Sequence, residues 1–365
     1  MACIDLHSKP FDEGTITKLE IFENYAKAWI PTFVMSGRSK ICIFDFFAGT
    51  GYDKNGVPGS PIRILEQIKK FIGNIFQNNV NVCVFLNEFN ADKFHLLESS
   101  CNKYLAINPD VKRAIDIHYF NEDFELLFPQ LLPLIKMNPS LVYLDQNGIK
   151  FLSEKYFLEL EKTIQTDFLY FLSSSYFWRF GDSPEFKMNL NINMDDAKKD
   201  PYKFIHRSIL EQIRNKLPSK TKLSLYPFTI KKSSNIYGII FGASHPRAVD
   251  KFLKIAWDAN NINGEANFDI DDDISKKQYL LFDKPKLTKI QYFCKTLREE
   301  ILSGKISNNK DAYLYTINHG HIAAQASDEV KRMKTEDILD FKGRSPLINY
   351  DQVFKNNRII NFLIK

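Results

Sequence analysis

The sequence predicts an α/β chain: a doubly wound, mostly parallel seven-stranded sheet, followed by a small helical module with a hairpin. Three observations carry this. Short β-branched and aromatic runs alternate with helical segments through residues 40–172, the order that a parallel sheet covered on both faces requires. The 365 residues amount to about two domains at roughly 150 residues each. An acidic run at residues 269–273 reads as a surface linker, so the expected domains are 1–270 and 275–365.

The elements follow in order. Residues 15–30 place Ile16, Leu19, Tyr25 and Trp29 at helical spacing, with Thr15 as the expected N-cap. Strands are expected at 40–46, 80–86, 114–120, 141–144 and 168–172. Between them, helices are expected at 61–75 (capped by Ser60, with Pro61 in the first turn), 91–105, from about 123, and at 154–164. A helix at 201–216, strands at 223–229 and 235–241 and a helix at 246–257 extend the sheet with a hairpin-like last pair. The second module reads as a helix at 287–302, a strand at 312–316, a helix at 322–333 and a hairpin within 338–350 centred on 342–345. That order is winged-helix-like.

Composition excludes several classes. Apolar residues make up 44% and charged residues 25%, which is ordinary globular usage and not a disordered chain. Lys plus Arg is 49 against 44 for Asp plus Glu, so the net charge of +5 is too small for a histone-like protein. The five cysteines form no CxxC pair and read as reduced thiols in a cytoplasmic protein. Residues 1–14 show no signal-peptide core, and no apolar stretch is long enough for a membrane helix. Phe, at 31 residues, is unusually frequent.

The sharpest motif follows the first strand directly: Asp45-Phe46-Phe47-Ala48-Gly49-Thr50-Gly51. An acid, an aromatic and Gly-x-Gly at a strand end make a tight turn whose backbone approaches a ligand closely. A nicotinamide site wants a third Gly opening the next helix, and here that helix starts only near Pro61. The turn therefore favours S-adenosylmethionine (SAM), as in class I methyltransferases. The second strand ends in Asn87-Glu88, where a carboxylate accepts from ribose hydroxyls, and the third in Asn121-Glu122-Asp123, where Asp123 is placed to accept from an adenine amino group. Expected cofactor contacts are thus Asp45, Phe47, Ala48, Gly49, Gly51, Glu88 and Asp123. The fourth strand ends in Asp145-Gln146-Asn147-Gly148, and Asp145 and Asn147 are the candidate catalytic residues that orient an acceptor. The Asp/Asn-Pro-Pro-aromatic of amino-methyltransferases is degenerate here, and no Pro-Cys exists for C5-type chemistry.

Other patterns are weaker. Residues 269–273 lack the Gly and Glu of a calcium loop, residues 242–246 fail the nucleophile elbow, and His319-Gly320-His321 has no third ligand nearby, so no metal is expected.

At these residues the sequence resembles the three-Cys-motif partner proteins (TcmP) of bacterial and phage-related loci. The matching pieces are Thr15, Lys18, Leu19, Tyr25 and Trp29, the Asp45–Gly51 turn, Gly59-Ser60-Pro61, Asp145 with Gly148, Thr166-Asp167-Phe168, Phe171-Leu172-Ser173 and Arg179-Phe180. The resemblance implies a class I methyltransferase-like fold, a SAM site and a partner, a radical-SAM-like protein with three cysteines. It points to Lys18, Ser60, Ser173 and Arg179 as substrate contacts. The family favours Asp-Pro-aromatic-Gly where this chain has Asp-Gln-Asn-Gly.

Two basic segments, 212–232 and 276–310, are candidates for phosphate contact, with Tyr313, Tyr315 and the 342–344 tip as further groove contacts. Two functions stay open. One is a methyltransferase acting on a nucleic acid or a partner-bound substrate. The other is a catalytically inactive binding module in a phage-defence or mobile-element locus.

Overall fold

The computed structural model describes residues 10–146, 153–163, 165–184, 187, 192–276 and 286–365. The chain divides into two compact units between Ser244 and His245. The boundary thus precedes the helix after the last sheet strand, whereas the sequence reading placed it after the acidic run near 270.

The first unit is built on a seven-stranded sheet. Its strands are β1 (Lys40–Asp45), β2 (Asn81–Asn87), β3 (Ile115–Phe120), β4 (Ser140–Leu144), β5 (Thr166–Ser173), β6 (Ser224–Lys232) and β7 (Asn235–Ala243). They lie in the order β3-β2-β1-β4-β5-β7-β6. Strands β1 to β5 pair in parallel, and β7 runs antiparallel to both β5 and β6. The expected α/β class with its mostly parallel sheet and terminal hairpin is therefore present.

The helices of this unit are α1 (Glu13–Val34), α2 (Ser60–Lys70), α3 (Ala91–Ile107), α4 (Phe124–Met137), α5 (Glu154–Glu161), α6 (Ser174–Phe180) and α7 (Ile205–Arg214). Strand alternation decides which helix each strand residue meets. Cys42, Phe44 and Phe46 join the core formed with Phe128 and Leu131 of α4, Phe157 of α5 and Ile209 of α7. The opposite face meets α1. There Phe22 stacks on Tyr143 at 4.8 Å, the Tyr143 hydroxyl donates to the Phe22 carbonyl at 2.8 Å, and the Tyr25 hydroxyl donates to Asp167 at 2.7 Å. Trp29 of the same helix is fully buried.

Two local expectations change. The cap of α1 is Asp12, whose carboxylate accepts the Thr15 amide at 2.9 Å, so the helix begins before Thr15. The helix expected over 61–75 breaks at Phe71, and a short helix Ile72–Gln77 follows. Gly73, a poor helix former, is the second residue of that piece.

The second unit holds α8 (Pro246–Ala259), α9 (Lys289–Leu302), α10 (Asn309–Asn318) and α11 (Ala323–Thr335), with a two-stranded antiparallel sheet of β8 (Leu339–Phe341) and β9 (Phe362–Ile364). The strand expected at 312–316 is helical in α10. Asn308 caps it, accepting the amides of Lys310 and Asp311, and this local signal outweighs the β-leaning side chains. Tyr313, expected in a groove contact, is fully buried. The hairpin expected within 338–350 does not close. Pro346 has no amide to donate and Leu347 takes φ +52°, so the return strand comes only at β9. His321 is buried and stacks on Phe293 at 4.0 Å. Burial pushes its imidazole down to about 3. Among the described residues no helix is long and apolar enough to cross a membrane.

Candidate functional site

The site lies where β1, β2, β3 and β4 end. In β1 the alternation that sends Phe44 and Phe46 into the α4 core sends Asp45 toward α1 and α2. Asp45 is 1% exposed. Its carboxylate accepts the Ser60 hydroxyl at 2.6 Å and the Phe47 amide at 3.2 Å. Burial pushes the carboxyl up to about 7 against these hydrogen bonds, with nearby Asp145 adding to the rise and Lys18 opposing it.

The turn that follows is held from β2. Asn87 is buried. Its carbonyl accepts the Ala48 amide at 2.8 Å, while its side chain donates to the Phe46 and Glu122 carbonyls, each at 3.1 Å. Glu88 accepts the Gly49 amide at 3.1 Å with one oxygen and the Asn90 amide at 2.9 Å with the other. A carboxylate has about four acceptor sites, so Glu88 retains capacity for a hydroxyl pair.

Gly49 and Gly51 both take positive φ, +67° and +86°. A Cβ on Gly51 would lie 2.8 Å from the Ser100 Cβ, and the Ser100 hydroxyl donates to the Thr50 carbonyl at 2.9 Å. Gly51→Ala is therefore expected to cost about 2–4 kcal/mol, from disfavoured backbone plus overpacking. Urea unfolding of the variant checks this, and a loss under about 0.5 kcal/mol would show that the turn tolerates a side chain.

Farther along, Asp53 accepts the amides of Phe11, Asn55 and Val57 at 2.8, 2.8 and 2.7 Å, pinning the 52–58 loop and the start of the chain's described part. The Asp53-Lys54-Asn55-Gly56 run is a turn signature that the expected site residues did not include. Asn87 was visible only as the neighbour of Glu88.

The β4 end brings a second carboxylate to the same face. Lys18 of α1 donates to Asp145 at 2.5 Å, and its ammonium also lies 4.4 Å from the Phe171 ring centroid. Both side chains are mostly buried, at 11% and 17% exposure. Gln146, next in the chain, is buried and its amide nitrogen lies 3.5 Å from the Tyr170 hydroxyl. The candidate catalytic residue Asn147 lies outside the described residues.

The structure thus gathers Lys18, Asp45, Phe47, Ala48, Gly49, Gly51, Ser60, Glu88 and Asp145 at one end of the sheet. Phe47 packs on Phe124 at 5.3 Å. Asp123 caps α4, accepting the Glu125 amide at 2.9 Å. Ser173 stands at the end of β5 opposite Tyr237, and Arg179 is exposed on α6. In the basic segment 212–232, Arg214 pairs with Glu211 and Lys232 with Asp12, while Lys220 and Lys222 are exposed.

No protein-family model matches the chain, and no curated protein matches it in sequence. Among solved structures it is similar to the O-methyltransferase TomG of Streptomyces achromogenes, involved in tomaymycin synthesis and solved with SAM. That match has 10% identity and a TM-score of 0.33, and covers 64% of this chain and 89% of TomG. It is also similar to an O-methyltransferase from Bacillus cereus solved with S-adenosylhomocysteine (SAH), at 15% identity and a TM-score of 0.31, covering 64% of this chain and 91% of that one. At these values the likenesses carry no argument about chemistry.

Proposed function

We propose that the chain binds SAM at the ends of β1, β2 and β3 and transfers its methyl group to a nucleic acid or to a substrate held by a partner protein. The observation that supports this best is the turn at residues 45–51, with Asp45 buried at its start and Glu88 reaching across from β2 to the Gly49 amide. The donor set fits the cofactor. Its ammonium and sulfonium call for carboxylates, and its ribose for a paired acceptor such as Glu88. Phe47 and Ala48 line the turn, and Asp123 stands at the next strand end.

When bound, SAM supplies a methyl group activated by its sulfonium. The chain's own task is then to hold the two reactants in line. Asp45 supplies negative charge on the α1 face, Ser60 orients it, and Lys18 holds Asp145 where an acceptor would be positioned. In this reading Ser173 and Arg179 approach the substrate from the β5 side. A three-cysteine, radical-SAM-like partner belongs to the same proposal and rests on the sequence motifs, whereas the second unit has α10 where the winged-helix-like order needs its strand.

A second reading has a specific observation in its favour. The Lys18–Asp145 ion pair already engages the strand-four acid, as suits a methyltransferase-like binding module without turnover.

Calorimetric titration of the purified protein with SAM and SAH tests the proposal. Micromolar binding of both is expected, with at least about a tenfold loss in Glu88→Ala, since charged hydrogen bonds are worth roughly 1.5–3 kcal/mol. Folded protein that binds neither ligand would sink the cofactor site. Binding without methyl transfer to nucleic acid, alone or with the co-purified partner, would favour the second reading.

A further inference from the structure

One face of the second unit carries cations that its carboxylates do not answer. Elsewhere in that unit many basic side chains are paired, although among the described residues Lys342 and Arg344 at the 342–344 tip are exposed without an ion pair. Lys295 meets Glu299, Arg298 meets Glu329 and Glu336, Lys305 meets Glu300, and Lys331 meets Asp328. Arg332 meets Glu329, and Lys334 meets Asp340.

Around the π-helical turn Asp351–Lys355 the arrangement differs. The Arg247 guanidinium lies 5.4 Å from the Tyr350 ring centroid. Tyr350 stacks on Phe354 at 5.4 Å and 21°. The Lys310 ammonium lies 5.3 Å from the Phe354 centroid. The Asn309 side chain donates to the Arg358 carbonyl at 2.9 Å, so Lys310 and Arg358 spring from adjoining backbone. Lys355 follows Phe354 directly.

Among the described residues, none of Arg247, Lys310, Lys355 and Arg358 pairs with a carboxylate. The acid on this turn is Asp351. A ring face attracts a cation without neutralising it, so the aromatic pair positions two charges and leaves both available. Phe354, 37% exposed, and Ile359, 45% exposed, stand among these cations.

We propose that this face binds single-stranded nucleic acid. The cations come from three separate chain segments and do not converge on one point, which suits a repeating polyanion better than a single small anion. The exposed ring and aliphatic chain among them suit unstacked bases, which a duplex keeps inside. The surface is not either of the segments singled out by charge runs, apart from Lys310. The inference is independent of the methyl-transfer reading, and its test reads binding alone.

The test is fluorescence anisotropy of a labelled mixed-sequence DNA strand of about 16 nucleotides with the full chain, titrated from about 50 mM salt upward. Each phosphate contact on a single strand contributes about −0.7 to the salt slope, so three or four contacts give about −2 to −3. The triple variant Arg247→Gln/Lys310→Gln/Arg358→Gln is expected to bind at least about tenfold more weakly and to lose about 2 from that slope. Phe354→Ala is expected to weaken binding with the slope unchanged. Lys331→Gln, at a paired cation on α11, is expected to change neither. The proposal is overturned by no binding at low salt, by equal losses in Lys331→Gln and the folded triple variant, or by tighter binding of the matching duplex. Binding to phosphatidylserine vesicles but not to the strand would likewise overturn it and reassign the face to anionic lipid.

Discussion

Replacing Asp45 by Asn will stabilise the protein at about pH 8 and at the same time weaken its hold on SAM. Both effects come from the buried carboxyl, pushed up to about 7 from the ordinary 3.8. Between those values the folded chain keeps a proton that the unfolded chain releases. The stability this group contributes is therefore fully present below pH 3.8 and lost as pH rises through 7. The whole displacement corresponds to roughly 4 kcal/mol. Asn never ionises, but it must set one amide N–H₂ against donors from Ser60 or Phe47, so a gain of about 1–3 kcal/mol is expected at about pH 8. The gain should fade as pH falls toward about 4, where the native carboxyl is neutral as well. Urea unfolding of both proteins at the two pH values checks this. Equal stability at each would mean that burial imposes no charge penalty at Asp45.

Binding runs the other way. A cation beside a carboxylate favours its ionised form, so SAM affinity should rise with pH through about 7. The Asn variant should lose that slope and at least about tenfold in affinity. SAH, uncharged at sulfur, should lose less. Stability gained where function is lost is the expected signature of a site strained for its ligand.

How much of this was readable from the sequence depends on how far each contact reaches along the chain. Asp45, Gly49, Gly51 and Glu88 were readable because each sits at a strand end, where alternation and turn chemistry are local. The Asn308 cap and the Asp53 turn are equally local signals, but the expected elements rested on apolar and aromatic runs and used neither. The partner of Lys18 was not readable. Strand alternation places Asp145 on one face of the sheet, but only the docking of α1 decides which cation meets it, 127 residues away in sequence. The β8–β9 pairing failed for the same reason. Its register is set across the long segment between the strands and not by a turn. The ladder from Arg247 to Lys310 through Tyr350 and Phe354 joins three distant segments, and a charge run marks only the end of one of them, at Lys310.

The Lys18–Asp145 pair gives the largest expected loss. Lys18→Met keeps an apolar stem against Phe171 and removes the ammonium, leaving two carboxylates near one another on a mostly buried face. Breaking a buried pair by deleting one partner costs roughly 3–5 kcal/mol, and the residual exposure here reduces that to about 2–4 kcal/mol. The sign with pH follows from Asp45. Lys18 holds that carboxyl down while Asp145 raises it, so without the lysine its titration moves further above 7. The destabilisation should therefore grow as pH rises above about 7 and shrink below it. Changing both partners, Lys18→Met with Asp145→Leu, removes the stranded charge and should restore most of the lost stability. A cycle measured by urea unfolding at about pH 8 distinguishes the outcomes. Single losses that simply add in the double variant would show that the two groups are not coupled, and that Lys18 acts only through its packing on Phe171.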